Sequence, residues 1–218
     1  MNQANVRDTK DRILDVAERL FATKGIEATS LRQITREATV NLAAVNYHFQ
    51  SKDELVRSVY LRRIRPMNTM RLCLLNALEG AEQNEAKPLD GLLEAFFEPV
   101  LDMALSLKNE GFTAGQLMGR MYTETHTVMQ NLICTEMGEV ARRFATAFGR
   151  ALPHLTSVEV LWRLHFTIGV LAHTLAAEEK IAILSQGRLN PRDKQEVLRQ
   201  MMTYAKAGLM APSLESAS

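Results

Sequence analysis

A short segment from Asn41 to His48 combines small side chains with side chains that form hydrogen bonds. An asparagine can pair with an adenine edge through two hydrogen bonds, and an alanine methyl can contact the methyl of thymine. Tyrosine and histidine reach phosphates or base edges, and a lysine such as Lys52 holds a phosphate together with the amides of a first helical turn. These residue types predict contacts with double-stranded DNA. The predicted contact residues are Asn41, Ala43, Ala44, Asn46, Tyr47, His48 and Lys52.

Two short helices joined by a tight turn must position this segment. Ser30, with Gln33 three residues on, marks the start of one helix, and three residues then separate it from a second helix over Leu42 to Phe49. A helix enters the major groove only if another helix supports it, so the pattern predicts a helix-turn-helix within residues 1–50. The apolar residues that close its core are Ile13, Ala17, Phe21, Leu31, Ile34, Ala38, Val40, Val45 and Phe49.

The rest of the chain carries apolar residues at helical spacing and no alternating strand pattern, which predicts an all-α fold of about nine helices. Residues 51–66 form a connecting helix opened by a capping box at Ser51, and Pro66 bends or interrupts it because proline lacks an amide hydrogen. Residues 67–210 form a larger domain, and residues 211–218 form a flexible tail. Further helix starts are predicted at Pro88, near Gly111, at Thr156 with Glu159, and at Pro191.

The N-terminal residues resemble the DNA-binding domain of the TetR (tetracycline-repressor-like) family over most of residues 7–60. The resemblance implies a homodimeric regulator, usually a repressor, that binds palindromic operators and releases them when a ligand enters the C-terminal domain. It also implies that Thr29, Ser30, Tyr47 and Lys52 contact phosphates and that residues 41–46 read bases. The residues that carry it include Ile13, Leu14, Ala17, Leu20, Phe21, Lys24, Gly25, Thr29, Ser30, Leu31, Ile34, Ala38, Val40, Val45, Asn46, Tyr47, His48, Phe49, Ser51, Lys52 and Leu55.

Two positions depart from the family pattern. Thr39 stands where the family usually has glycine in the turn between the two helices, and a β-branched residue at positive φ is strained by about 1 kcal/mol or more. Asn46 stands where the family commonly has tyrosine, and Tyr47 follows it. The sequences of residues 41–49, 148–153 and 161–166 resemble those of the subgroup that includes fatty-acid-responsive regulators.

A second set of residues is typical of a site for an apolar or amphipathic ligand, because methionine and aromatic side chains adapt to varied apolar shapes. Ordinary core packing is the alternative for each of them. Arg120, in an apolar run, pairs either with a ligand carboxylate or with Glu124 one helical turn on. The predicted ligand-binding residues are Phe96, Phe97, Met103, Leu117, Met118, Arg120, Met121, Tyr122, Met129, Trp162 and Phe166.

A multidrug sensor is the alternative within the regulator class, since acidic residues would attract a cationic ligand. Glu98, Asp102 and Glu124 keep that alternative open. A small apolar or acyl effector remains the leading prediction.

The last two long helices, predicted over 157–184 and 191–209, each carry a broad apolar stripe, which is typical of a two-fold four-helix dimer interface. Such a homodimer places two recognition helices about 34 Å apart, as successive major grooves require. The residues predicted for this interface are Leu164, Ile168, Gly169, Ala172, Leu175, Val197, Met201 and Tyr204.

The charge distribution agrees with this division. Residues 1–65 hold 12 Lys and Arg against 8 Asp and Glu, a net +4, whereas the remainder holds 14 against 17, a net −3. A basic first part suits phosphate binding, although an ordinary solvated surface has the same appearance.

Catalysis, metal binding and membrane spanning are not indicated. The sequence has no phosphate-cradling glycine loop or nucleophile elbow, and its histidines lack metal-ligand spacing. No run approaches the roughly 18 apolar residues of a membrane helix, and the N-terminus lacks a signal-peptide layout. We therefore expect a soluble, cytoplasmic DNA-binding regulator without cofactor or metal, with a helical enzyme or scaffold as the alternative. Cys73 and Cys134 are expected to be buried free thiols.

Overall fold

The structure, a computed structural model, describes residues 3–81, 89–105, 111–122 and 124–214. Within these ranges the chain forms helices and no strand, so the all-α prediction is confirmed. A π-helical turn, Ile133–Met137, joins two of the helices end to end. The helices are α1 Gln3–Lys24, α2 Leu31–Glu37, α3 Leu42–Phe49, α4 Lys52–Ala81, α5 Leu89–Leu105, α6 Gly111–Met121, α7 Thr127–Leu132, α8 Gly138–Ala151, α9 Ser157–Ala176, α10 Glu178–Leu184 and α11 Lys194–Met210.

The first three helices begin and end at the predicted signals. Helix α1 ends before Gly25, whose φ of 87° is a conformation that glycine adopts without strain. The Ser30 hydroxyl accepts a hydrogen bond from the amide of Gln33 at 3.2 Å and so caps α2. Thr39 has a φ of 55°, which confirms the strained turn between α2 and α3. Local chemistry therefore sets where α1 ends, where α2 begins and how the chain turns between α2 and α3.

Helix α4 runs without a break from the N-terminal helices into the rest of the molecule. It starts at the predicted cap, where the Ser51 hydroxyl accepts from the amide of Glu54 at 3.1 Å. Pro66 lies inside α4 and does not interrupt it. Proline removes one backbone hydrogen bond, but contacts with α1, α5 and α8 hold α4 in place along its length. The two parts of the chain are thus joined by a single continuous helix.

The larger part of the core lies among α4, α5, α6, α8 and α9. Phe96 of α5 meets Phe144 of α8 edge to face, with ring centroids 5.2 Å apart. Gly119 of α6 lies directly against α9, since a Cβ at this position would come within 2.7 Å of the Cβ of Ala176. Only a residue without a side chain permits this approach.

The two C-terminal helices differ from the predicted ranges. The predicted helix over 157–184 is two helices, α9 and α10, and the chain changes direction between them at Ala177, where φ is −115°. Helix α11 begins at Lys194 rather than at Pro191, because the Asp193 side chain accepts from the amide of Glu196 at 3.1 Å and caps the helix. The predicted capping box of Thr156 with Glu159 is confirmed. Pro88 lies outside the described residues.

Residues 211–214 form hydrogen bonds with α9, while the flexible tail expected from residue 211 onward stays a prediction. Arg163 donates hydrogen bonds to the carbonyl oxygens of Ala211 and Pro212 at 2.6 and 2.8 Å. Glu159 accepts from the Ser213 hydroxyl at 3.0 Å and from the amide of Leu214 at 2.7 Å. These two charged residues, one turn apart on α9, supply partners for a segment without secondary structure. Residues 215–218 lie outside the described ranges.

Two further expectations concern the cysteines and membrane spans. Cys73 and Cys134 are free thiols, as predicted, but both are exposed, because each lies on the outer side of its helix. In the part of the chain that the structure describes, none of the helices has the length and hydropathy that crossing a bilayer requires.

Candidate nucleic-acid interface and effector domain

Helix α3 presents one face to solvent and packs with the other. Val45 and Phe49 are buried against the N-terminal core, with 1% and 3% of their surface exposed. Ala43, Asn46 and Tyr47 are exposed on the other side, and Tyr47 has 78% of its surface accessible. A largely exposed tyrosine, an amide and a methyl on one helical face provide donors, acceptors and a small apolar contact for base edges.

Asn41 has a structural role at the start of α3. Its side-chain oxygen accepts a hydrogen bond from the amide of Ala44 at 2.8 Å and caps the helix. Bidentate pairing with adenine needs both the oxygen and the nitrogen of the carboxamide, so the cap leaves Asn41 with its NH₂ group to donate. Ser30 caps α2 in the same way and keeps its hydroxyl proton for a phosphate.

The side chain of Thr29 does not face solvent, so the prediction that it contacts a phosphate is wrong. It is 1% exposed, and its hydroxyl donates to the carbonyl of Gly25 at 2.8 Å. The physical reason is the tight turn between α1 and α2, which closes over this hydroxyl. Lys52, partly buried, stands in the first turn of α4, and the half-buried His48 touches the ring of Tyr47. Phosphate and base contacts by these residues remain predictions.

Arg120 joins the two parts of the molecule, and its contacts favour the alternative interpretation, while its role in ligand binding stays a prediction. Its guanidinium donates to the carbonyl oxygens of Ala22 and Thr23 at 2.7 and 3.2 Å, at the C-terminus of α1. It also pairs with Glu124 at 3.1 Å, as the alternative interpretation stated. A cation at a helix C-terminus is favoured by the exposed carbonyls and the helix dipole. Residue Gly25 leaves the space for this pair, since a Cβ there would lie 3.0 Å from a Glu124 oxygen.

The segment from α7 to the π turn forms a second connection, to α4. His126 caps α7 with its ring nitrogen, and its Nε2 lies 3.9 Å from a carboxylate oxygen of Asp53 in the first turn of α4. Glu136 accepts two hydrogen bonds from the Arg65 guanidinium at 3.2 Å each, and its backbone carbonyl accepts from Asn68 at 2.7 Å. π-helical turns often occur at functional sites.

Most predicted ligand residues are brought together in the C-terminal core. Met121 and Tyr122 stand at the end of α6, close to α1 and α4. Ordinary packing and a ligand site both remain consistent with this burial. The predicted residues that are buried are Phe96, Phe97, Leu117, Met118, Met121 and Met129, and those partly buried are Met103 and Tyr122.

Trp162 and Phe166 do not belong to that core, so their assignment to a central ligand cavity is wrong. They are 57% and 61% exposed on the outer face of α9, where their rings stack with centroids 5.8 Å apart. The reason is that α9 is apolar on both sides, and its other side, with Val160, Leu164 and Leu171, fills the core. An exposed pair of stacked aromatic rings is typical of a surface that meets another protein.

The predicted dimer residues are divided between the two sides of α9 and α11. Leu164, Ala172, Leu175 and Met201 are at least 93% buried within the single chain, so they have little surface left for a partner, and their place in the interface stays a prediction. Gly169 and Tyr204 are exposed, and Ile168 and Val197 are partly buried. An open groove of about 330 Å³ separates α9 from α11 and includes Phe166 and Tyr204 in its walls. The apolar residues exposed on the outer face of α9 are Val158, Leu161, Trp162 and Phe166.

The three carboxylates considered for a cationic ligand already have basic partners. Lys194 pairs with Asp102 and lies 3.1 Å from Glu98. Glu124 pairs with Arg120. A cationic ligand would have to displace these partners, which are weak because the ion pairs are partly exposed, so the multidrug alternative stays open.

The sequence interpretation missed Arg71, on α4. Its side chain is fully buried, with 1% of the residue exposed, among mainly apolar side chains. Its Nε donates to the carbonyl oxygen of Phe96 at 2.9 Å, and its Cζ lies 4.4 Å from the centroid of the Phe96 ring. Helical periodicity offers a weak signal, since Arg71 falls on the buried side of α4 with Met67 and Leu75.

Comparison with known families agrees with the geometry of both parts. The family description "Bacterial regulatory proteins, tetR family" matches residues 13–59, and "Tetracyclin repressor-like, C-terminal domain" matches residues 94–208. The chain belongs to the tetR family. The family model describes bacterial regulatory proteins, and the matched relatives are HTH-type transcriptional regulators and not enzymes. The resemblance seen in the sequence is confirmed for the family, while the fatty-acid-responsive subgroup is not tested by these matches.

Individual relatives extend over part of the chain. The HTH-type regulator AcrR of Shigella flexneri is 30% identical over 107 residues, which are 42% of this chain and 49% of that protein. The biofilm operon negative regulator IcaR of Staphylococcus aureus strain Newman is 29% identical over 133 residues, or 56% of this chain and 64% of that protein. The chain thus spans about half to two thirds of the length of these curated relatives.

Solved structures share the fold over nearly the whole chain. A tetR family regulator from Shewanella sp. PV-4 aligns with a TM-score of 0.62 at 17% identity, covering 93% of this chain and 96% of that one. A SmeT complex with triclosan aligns with a TM-score of 0.59 at 18% identity, covering 94% and 95%. At these identities the likeness establishes the fold alone.

Proposed function

We propose that the protein represses transcription as a homodimer bound to a palindromic operator, and that a small apolar or acyl effector releases it. The observation that carries the DNA-binding part of this proposal is the exposed face of α3, with Ala43, Asn46 and Tyr47 on the side away from the core. In a helix-turn-helix this face enters the major groove while the preceding helix supports it. Ser30 and Lys52 stand on either side of α3 in the sequence, at helix starts that suit phosphate contacts.

The homodimer is proposed to form through the outer face of α9 together with α11. Trp162 and Phe166 supply the large apolar area, and Gly169 allows a second helix to approach. Exposed apolar patches of this kind on a soluble regulator are used for association. Two-fold symmetry then presents two copies of α3 to two half-sites of one operator.

Effector binding is proposed to change the positions of the two copies of α3 through α6 and α7. Arg120 at the end of α6 holds the C-terminus of α1, and His126 at the start of α7 contacts the first turn of α4. A ligand among α4, α5, α6 and α8 that prefers one arrangement of these helices shifts the position of the N-terminal helices. A coupling of about 1 to 3 kcal/mol between the two sites is sufficient to change operator occupancy.

The first experiment selects operator sequences from a random duplex pool with the full-length protein. We expect an enriched palindrome, a stoichiometry of two chains per site and a steep loss of affinity as salt rises. The second experiment titrates the complex on that palindrome with apolar and acyl compounds of increasing length. Binding without sequence preference would overturn the DNA part of the proposal, and unchanged operator affinity across the whole series would overturn the effector part.

A further inference from the structure

Arg71 is a cation in a place that normally excludes one. It lies on α4 facing α5, is 1% exposed, and its guanidinium packs against the ring of Phe96. Phe144 and Phe148 of α8 pack on the same ring, at centroid distances of 5.2 and 6.5 Å. Moving a charged group from water into such a setting is costly unless hydrogen bonds and an opposite charge compensate.

The compensation around Arg71 is incomplete. One nitrogen, Nε, donates to the Phe96 carbonyl at 2.9 Å, and the Tyr122 hydroxyl is a hydrogen-bond partner of the guanidinium. The buried Nη2 has no hydrogen-bond partner, and among the described residues no carboxylate pairs with Arg71. Burial lowers the pKa of Arg71, and the neighbour that opposes this shift is Tyr122, a neutral group at physiological pH. The side chains that the structure describes therefore supply no opposite charge to Arg71.

We propose that Arg71 binds the carboxylate of an otherwise apolar effector, with Tyr122 as a second donor. This inference rests on the effector part of the proposed function and specifies which chemical class the effector belongs to. The Arg71 guanidinium has a planar edge that matches a carboxylate, and its free Nη2 donates to one carboxylate oxygen. Helices α4, α5, α6 and α8 supply the apolar surroundings for the rest of the molecule.

A carboxylate fits this position better than a phosphate. One guanidinium neutralises a single negative charge, whereas a phosphate monoester carries about −1.5 to −2 at neutral pH and would leave charge uncompensated beside three phenylalanine rings. A neutral ligand would leave Nη2 without an ionic partner. The site therefore selects a ligand by its charged headgroup, while the surrounding apolar side chains contact the rest of the ligand.

The test compares straight-chain carboxylates from octanoate to hexadecanoate with the primary alcohols of the same length, on the full-length protein. Titration calorimetry measures binding, and gel shift on the selected palindrome measures release. The variants are Arg71→Met, which keeps most of the side-chain volume, and Arg71→Lys, which keeps the charge without the planar fork. Arg142→Met, at an exposed arginine of α8, is the matched control. Circular dichroism and thermal unfolding identify any variant that fails to fold.

We expect the best carboxylate to bind the unmodified protein at least about 10-fold more tightly than its alcohol, since charge-assisted hydrogen bonds are lost in the alcohol. Arg71→Met should remove this preference, Arg71→Lys should reduce it, and Arg142→Met should retain it. Equal binding of acids and alcohols to the unmodified protein overturns the inference, and this comparison needs no variant. Carboxylate binding through Arg71 without operator release supports the inference and refutes the effector part of the proposed function. Release of the operator by alcohols and acids alike overturns the inference and supports the effector part of the proposed function.

Discussion

The outer faces of α3 and α9 are both exposed, yet their chemistry differs. On α3 the exposed residues are Leu42 at its first position, then Ala43, Asn46 and Tyr47, and no stacked apolar pair occurs there. On α9 the exposed surface is built on Trp162 and Phe166, stacked at 5.8 Å. The first surface offers hydrogen bonds in an aqueous groove, and the second offers apolar area that is stabilised by leaving water. Exposure alone therefore does not define a function, because the chemistry of the exposed side chains determines which partner binds.

Trp162→Glu tests the apolar face and has the largest expected effect. Replacing one ring of the stacked pair with a charged side chain should prevent dimerisation, so sedimentation should report a monomer. Operator affinity should fall by at least about 100-fold, because both half-sites then bind separately and avidity is lost. The measurement is operator binding by gel shift alongside analytical ultracentrifugation.

The matched control is Ile183→Glu, at an apolar residue that is 75% exposed on α10, outside the α9 face. We expect it to keep the dimer and the operator affinity. A dimer that survives Trp162→Glu would show that the α9 face has another role.

Asn46→Ala tests the polar face and ranks second. Loss of a side chain that reads a base should cost about 1 to 3 kcal/mol in operator binding and relax the sequence preference at one position of each half-site. Asn131→Ala, at an exposed asparagine of α7, is the control and should leave binding unchanged. The measurement is competition gel shift against operators changed at single positions. An affinity loss that is equal for all sequences would assign Asn46 to the phosphate backbone instead.

Thr39→Gly separates stability from recognition at the turn before α3. Glycine adopts the φ of 55° without the contacts that strain threonine, so the free energy of unfolding should rise by about 1 kcal/mol. Thr146→Gly, inside α8, is the control and should destabilise by about 0.3 kcal/mol, since threonine is already a poor helix former. Urea unfolding measures both. A decrease in stability for Thr39→Gly would mean that the threonine side chain contributes contacts that outweigh its strain.

Glu159→Gln tests the carboxylate that accepts hydrogen bonds from Ser213 and Leu214, and it has the smallest expected effect. Hydrogen bonds from the backbone of Thr156 and of Leu214 lower the pKa of Glu159 to about 2. Because the folded pKa is below the ordinary value, the carboxylate stabilises the fold above about pH 4.5 and this contribution is lost as the pH falls toward 2. Unfolding curves of the unmodified protein should therefore decline over this window more than those of Glu159→Gln. Parallel curves for the two proteins would contradict this role.

The local features were predictable from the sequence because each depends on neighbouring residues. Ser30, Gly25 and the Thr156 capping box act within a few positions of the chain, and the strain at Thr39 follows from its residue type. The helical fold follows from periodicity in the same way.

Features that depend on distant neighbours were not predictable. Apolar residues surround α9, so the period of 3.6 did not distinguish the core side from the side that carries Trp162. Arg120 finds its partners almost a hundred residues earlier in the chain, at Ala22 and Thr23, and no spacing rule contains that contact. Arg71 is an arginine on a long helix, which is a solvated residue in most proteins, and only the packing of α5 and α8 encloses it.

The close contact at Gly119 has a mechanical consequence. Gly119 joins α6 to α9, and the next residue, Arg120, grips the end of α1. Two consecutive residues therefore connect the last turn of α6 both to α9, where the dimer interface is proposed, and to α1 of the helix-turn-helix domain. We expect a shift of that turn to move α1 relative to α9 and so to change the separation of the two copies of α3 in the proposed dimer.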